Sequence, residues 1–336
     1  MPQPLTAAEI IEHPEYKHVN WDLKPTKKGK LAVANGRGGP FNVAYEIHGH
    51  GSRRLVWIMG LGGLITTWQR QTKDFAHAPP SQHTCLLLEN RGIGQSDKPL
   101  LRYTTSEMAK DLLELLDHLS WTDERSLHVI GISMGGMIAQ ELACLIPSRL
   151  ASLQLISTAA RLVNTIGYWE NLRNRINLFI PRSLDAQIAS AKRNLYPETW
   201  LNRPDEEPEP VVQPFPTNGD RFAAGEIRKR TSPGVMTRTG FIAQAIAAGW
   251  HHKSPAQLRK IGDEVGRERI MVLHGTEDRM ITFPHGEVLL RDLGGEGQGV
   301  TKAFYQGKGH HLPAEERWEF DRRVQEMVEK TEKLGS

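Results

Sequence analysis

The sequence predicts an α/β fold built on a mostly parallel sheet with helices on both faces. Three observations predict it. Short, continuously apolar runs recur along the chain, helical-period segments separate them, and most of the runs end in a glycine-containing loop. A strand covered on both faces has no solvent side to present. It therefore reads as an unbroken apolar run rather than an alternation.

The elements follow in order. Residues 1–40 are polar and rich in Lys, Gly and Pro, and are expected to form an irregular lead-in with one or two short strands. Residues 41–47 alternate apolar and polar positions, as an edge-side strand does. Continuous apolar runs then fall at 55–59, 85–88, 127–130, 153–156 and 270–273, and 301–305 completes the set. Between them, residues 106–119 keep Met108, Leu112, Leu115, Leu116 and Leu119 at helical spacing, with Thr104 and Glu107 as a capping box. Residues 313–334 place Phe320, Val324, Met327 and Val328 on one stripe of a surface helix. From about 161 to 250 the alternation stops. That block is helical in character, with Trp169, Phe179, Trp200, Phe222 and Phe241 scattered among polar positions. The Pro- and Glu-rich segment 203–210 interrupts it and reads as an exposed, mobile loop. The expected organisation is a lead-in (1–40), a core (41–160 and 251–334) and a helical cap (161–250) inserted after the sixth strand.

Bulk properties narrow the function. The 336 residues carry a formal net charge of only +3 and no dense Lys/Arg cluster interleaved with aromatics, which argues against a nucleic-acid partner. Two cysteines, Cys85 and Cys144, are too few for a disulfide scaffold and are expected to be buried thiols in a reducing compartment. No stretch approaches the roughly 20 apolar residues of a membrane span, and residues 1–5 lack the basic start and apolar core of a secretion signal. A soluble cytoplasmic protein is the expectation. His83, His251 and His252 show no metal-ligand spacing and are read as surface or packing residues; neither a metal nor a cofactor is expected. Oligomeric state is not legible.

The chemistry concentrates at residues 131–135, Gly-Ile-Ser-Met-Gly, between an apolar run and a helical segment. Glycines at both ends let two backbone segments pass closely, leaving Ser133 on a sharp elbow with its hydroxyl exposed above the sheet edge. The Met134 amide, at the helix start, can then face the oxygen that turns negative when Ser133 attacks a carbonyl. A serine nucleophile needs a base, and the base an orienting acid. The run at 270–273 is followed by His274-Gly275-Thr276-Glu277-Asp278, and the run at 301–305 by Gln306-Gly307-Lys308-Gly309-His310-His311. Both sets of candidates sit at the carboxyl ends of predicted strands, where ligands bind in open parallel sheets. Glu277 and Asp278 both offer a carboxylate, and the shorter side chain holds an imidazole more tightly. His310 is favoured over its neighbour His311, because adjacent side chains diverge and only one can face Ser133. Glu206, Glu207 and Glu209, which could hold a substrate amine, read as part of the solvated proline-rich loop.

These residues resemble the α/β-hydrolase superfamily, specifically its capped esterases and enol-lactonase-like hydrolases. Gly-Ile-Ser-Met-Gly-Gly at 131–136, Asn-Arg-Gly-Ile-Gly-Gln-Ser-Asp at 90–97, residues 274–278 and residues 307–310 carry the likeness. It covers about residues 41–330. The resemblance implies a nucleophile–acid–histidine order met by Ser133, Asp278 and His310, with Asp278 rather than Glu277 at the family's usual position for the acid. It also implies a second oxyanion donor, the Leu61 amide, in the glycine-rich loop 59–63. Two departures stand out. Met59 replaces a common histidine, which makes the pocket mouth more apolar, and Asn90 replaces a common aspartate. The implied function is hydrolysis of a small, largely apolar carboxylic ester or lactone through an acyl-enzyme. Epoxide hydrolases and dehalogenases of this fold carry an aspartate where this chain has Ser133. Carbon–carbon bond hydrolases keep the serine and are the alternative enzyme; a small-molecule receptor that retains the triad is the alternative outside catalysis.

Overall fold

The computed structural model describes residues 4–162 and 183–335. Eight strands form one sheet: β1 (Lys27–Val33), β2 (Phe41–His48), β3 (Arg53–Ile58), β4 (His83–Leu88), β5 (Leu127–Ile132), β6 (Leu150–Ile156), β7 (Ile270–Gly275) and β8 (Thr301–Tyr305). Their order is β1-β2-β4-β3-β5-β6-β7-β8. β1 and β2 pair antiparallel, as do β2 and β4; every later pairing is parallel. The chain leaves β3 for β4 on one side, whereas β5 lies on the other side of β3 and leads away to β6. Connections therefore diverge between β3 and β5, and a crevice opens at the carboxyl ends of these two strands.

Alternation along each strand divides the core into two layers. Val56 and Ile58 of β3, with Leu127 and Val129 of β5, pack with Leu112, Leu116, Ile138 and Leu142 from helices Thr105–His118 and Met134–Leu145. Leu55 and Trp57, with Ile130 and Ile132, face the other way onto Trp68, Phe320 and Val324, the last two from helix Arg317–Lys333. Helix Thr105–His118 starts as expected: the Thr104 side chain accepts from the Glu107 amide at 3.0 Å.

Three expectations are corrected. The lead-in is ordered. The short strand expected there is present as β1, at the sheet edge, but residues Ala7–Glu12 also form a helix closed by a Thr6/Glu9 capping box. β1 is largely exposed, so its Lys-rich sequence has no apolar run to betray it, and lysines on an open edge discourage pairing with other chains. Ala7, Ile10 and Val19 pack against Ile188, Phe215, Ala223, Ala224 and Ile227 of the segment between β6 and β7. The backbone amides of Leu5 and Ala7 donate to Asp220 and Asp185 at 3.2 and 3.0 Å, and Glu15 accepts from Val211 and Val212. The second correction concerns residues 203–210, which are irregular but anchored. The Asp205 carboxylate accepts two bonds from Arg221 at 2.7 Å, and Glu207 is buried against Arg70 and Arg317. Each partner lies elsewhere in the chain, so local composition gave no sign of them. The third correction is Cys144, which is exposed; Cys85 is buried, and burial pushes its thiol up to about 12.

The insertion between β6 and β7 contributes helices Leu184–Leu195, Asn218–Thr231 and Arg238–Gly249. Trp200 stacks on Tyr196 at 4.4 Å and Phe222 meets the same ring edge-on, so these aromatics are packing residues. Trp169 and Phe179 lie outside the described residues. No described helix is long and apolar enough to cross a membrane.

The turn from β5 into helix Met134–Leu145 has no room for side chains. A Cβ on Gly135 would lie 2.1 Å from the Ile58 carbonyl oxygen, and one on Gly131 would lie 2.4 Å from that of Gly135. Gly135→Ala is therefore expected to destabilise the fold by about 1–3 kcal/mol or more. A lower urea midpoint at unchanged slope would report it.

Candidate active site

Ser133 closes β5 with φ 57° and ψ −124°, a conformation that a residue bearing a Cβ rarely adopts. Main-chain bonds hold it there. Its N–H donates to the Ile156 carbonyl at 2.9 Å, and its own carbonyl accepts from Thr158 Oγ1 at 2.6 Å and from Gly136 N at 3.0 Å. The loop after β3 passes directly against it: a Cβ on Gly60 would sit 2.8 Å from Ser133 Cβ and 3.3 Å from Oγ.

That loop spends its amides selectively. Gly62 N donates to Gln244 Oε1 at 2.9 Å and Gly63 N to the Gly60 carbonyl at 3.1 Å. Among the described residues the amides of Leu61 and Met134 have no acceptor. Asn90, at the family's aspartate position, donates Nδ2 to the Met59 carbonyl at 3.0 Å and so ties the loop to the end of β4. Met59 is buried with its side chain folded against Gly63, rather than lining an open mouth.

Beyond the ends of β7 and β8, Asp278 and His310 meet. His310 Nδ1 donates to Asp278 Oδ2 at 2.7 Å, and Oδ1 accepts from the Met280 and Ile281 amides at 2.8 and 2.9 Å. The loops that carry them are joined: Glu277 N donates to the Lys308 carbonyl at 2.8 Å, and a Cβ on Gly275 would strike the Gly309 carbonyl at 2.2 Å. Glu277 itself is exposed. His311 turns the other way and shares a 2.8 Å bond with the Tyr196 hydroxyl. The structure thus gathers Asp278 with His310, and Ser133 with the loop holding Leu61. Between these two halves, Ser133 Oγ and His310 Nε2 make no hydrogen bond. No group of three or more His, Cys, Asp or Glu side chains among the described residues could hold a metal ion.

A family model for the alpha/beta hydrolase fold matches residues 53–310. The chain belongs to the α/β-hydrolase fold family. The dihydrolipoyllysine-residue acetyltransferase component of the acetoin cleaving system of Cupriavidus necator is 33% identical over 281 residues, covering 83% of this chain and 64% of that protein. The chain spans less than two thirds of the length of the curated relatives it matches. A hydrolase from Pseudomonas aeruginosa has the same fold, with a TM-score of 0.68 at 24% identity over 93% of this chain and all of that one. So does the enol-lactonase from Burkholderia xenovorans, with a TM-score of 0.63 at 21% identity over 89% and 99%.

Within this α/β-hydrolase, several side chains support the candidate site without having marked themselves in the sequence as supports. His274, fully buried, points Nε2 at Asp278 Oδ2 (3.3 Å) and at the Ile281 carbonyl (2.7 Å). Both are acceptors, so that nitrogen carries the proton. Burial alone would raise the Asp278 carboxyl. The charge of His310 and the hydrogen bonds from His274 and His310 outweigh burial and hold it down to about 2. Burial, with His310 beside it, pushes His311 down to about 3, which keeps that ring neutral near pH 7. Glu315, on the turn after His311, accepts from Gly309 N through both oxygens at 3.0 and 2.9 Å and so braces the histidine loop. From the other side the His310 amide is tied to the Leu195 carbonyl of the insertion at 2.9 Å.

Burial lifts the Glu315 carboxyl to about 7, against the pull of the Gly309 amide and Lys308. Because this lies above the ordinary 4.5, the folded chain holds a proton that the unfolded chain releases. Its contribution is intact at low pH and is lost as pH rises from about 4.5 through about 7, roughly 3 kcal/mol between the limits. Glu315→Gln cannot ionise, so its melting temperature should fall less than that of the wild type between about pH 5 and 8. An identical fall in both would exclude Glu315 as the source.

Proposed function

We propose that this α/β-hydrolase cleaves carboxylic esters, lactones included, through an acyl-enzyme on Ser133. The observation that carries the reading is the pairing of a buried, ionised Asp278 with His310 Nδ1, opposite a strained serine at the point where the strand connections diverge. With Nδ1 donating to Asp278, a neutral His310 presents its basic lone pair at Nε2, the nitrogen that has to receive a proton.

The steps follow from these groups. Ser133 Oγ attacks the ester carbonyl carbon while its proton passes to His310 Nε2, which requires the two atoms to approach within about 3 Å. The carbonyl oxygen becomes negative and is met by the Leu61 and Met134 amides, both of which lack an acceptor. Asp278 stabilises the imidazolium and fixes its tautomer. The alcohol departs with the proton held on Nε2. Water then attacks the acyl carbon as Nε2 takes its proton, and Ser133 is released with a proton returned to Oγ. The insertion serves as the cap. Phe241 and Met236 lie against Gly62 of the oxyanion loop, an apolar boundary that suits a largely apolar substrate.

Ser133→Ala should lower ester turnover by about 10⁴-fold or more while the unfolding midpoint stays put. A chain-length series of p-nitrophenyl esters, a set of lactones and a dienoic diketone, assayed on both proteins, measure it. Ester turnover surviving in Ser133→Ala would sink the proposal, and preferential cleavage of the diketone would move it to carbon–carbon bond hydrolysis.

A further inference from the structure

Gln244 is a polar side chain of the insertion that reaches the loop beside the candidate site. It is wholly buried on helix Arg238–Gly249, and both ends of its amide are used. Oε1 accepts from Gly62 N at 2.9 Å and Nε2 donates to the Arg91 carbonyl at 2.8 Å. One side chain from the insertion thus joins the loop after β3 to the loop after β4.

The surroundings leave that helix little freedom. A Cβ on Gly240 would lie 2.1 Å from the Gly92 carbonyl, Gly94 N donates to the Val235 carbonyl at 2.8 Å, and Ile93 bridges Met236. Arg91 is fixed in turn by a two-pronged pair with Asp111 at 2.6 and 2.7 Å. Gln244 is therefore a rigid strut between a clamped helix and a glycine-rich loop that has few side chains to hold itself in place.

We propose that Gln244 is a positioning residue for the oxyanion loop, one that sets the aim of the Leu61 amide. This rests on Leu61 being an oxyanion donor. Three consecutive amides, those of Leu61, Gly62 and Gly63, share the turn. Gln244 takes up that of Gly62 and Gly60 that of Gly63, so the Leu61 amide alone is left to face a ligand. Gly62 sits at φ +67°, where the backbone otherwise has wide freedom, and the bond to Oε1 fixes the plane of the Leu61–Gly62 peptide, the unit directly after the Gly60–Leu61 peptide that carries the Leu61 N–H. A misaimed donor weakens binding of the tetrahedral oxyanion far more than binding of the substrate.

The experiment uses the full chain and compares wild type, Ser133→Ala, Gln244→Leu and Gln244→Glu. Gln244→Leu is expected to lower kcat by about 10–100-fold with KM within about threefold, given that a lost oxyanion donor costs about 10²–10³-fold. An alkylboronic acid, which forms a tetrahedral adduct on the serine, should bind it weaker by a similar factor, while the carboxylic acid product binds as before. Gln244→Glu keeps an acceptor for Gly62 and loses the donor to Arg91, so its kcat should fall between Gln244→Leu and wild type. That variant carries the test if Gln244→Leu does not fold. The inference is overturned if KM alone rises, if boronate affinity is unmoved, or if Gln244→Glu loses as much kcat as Gln244→Leu. Activity that survives Ser133→Ala would instead overturn the esterase reading itself.

Discussion

The close approach of the β5–helix turn to the end of β3 governs everything above it. Gly131 and Gly135 leave no space between the elbow and the Ile58 carbonyl, and the absence of two side chains is what brings Ser133 onto Gly60. From this one contact follow the positive φ at Ser133, the placing of the Met134 amide at a helix start and the presence of the glycine-rich loop beside the hydroxyl. Strain of this kind persists only where the surroundings over-determine it. Here the Ile156 carbonyl, the Thr158 hydroxyl and the first turn of the helix share that task.

Asp278 is the one carboxylate bonded to His310 among the described residues. Asp278 is ionised, and two backbone amides and the His274 ring satisfy what His310 does not. His311 is adjacent in sequence but stays neutral and bonded to Tyr196, so it adds no competing positive charge. Two neighbouring histidines thus have separate tasks, one facing the carboxylate and the other the insertion.

What was legible in the sequence was what burial writes into it. The five continuous apolar runs each became strands because a strand between helical layers must be apolar on both faces, and helices with an apolar stripe were equally plain. Ser133, Asp278 and His310 could be picked out as candidates because glycines and strand ends mark their positions. Non-local pairing stayed hidden. Glu207 looks like a solvated acid until Arg70 and Arg317 arrive, and β1 carries no apolar signature because an edge strand needs none. Gln244 lies among alanines and isoleucines on an unremarkable helix, and its partners are backbone groups some 150–180 residues earlier. Glu315 is equally silent, since its partner is a main-chain amide.

The docking of residues 5–19 onto the insertion bears on how the chain is made. Leu5 bonds to Asp220 and Val211 to Glu15, across separations of 215 and 196 residues. At about 5–20 residues per second, a ribosome takes roughly 10–40 s to deliver those partners. Throughout that interval Ile10 and Val19, apolar residues destined for the interior, stay uncovered on the nascent polypeptide.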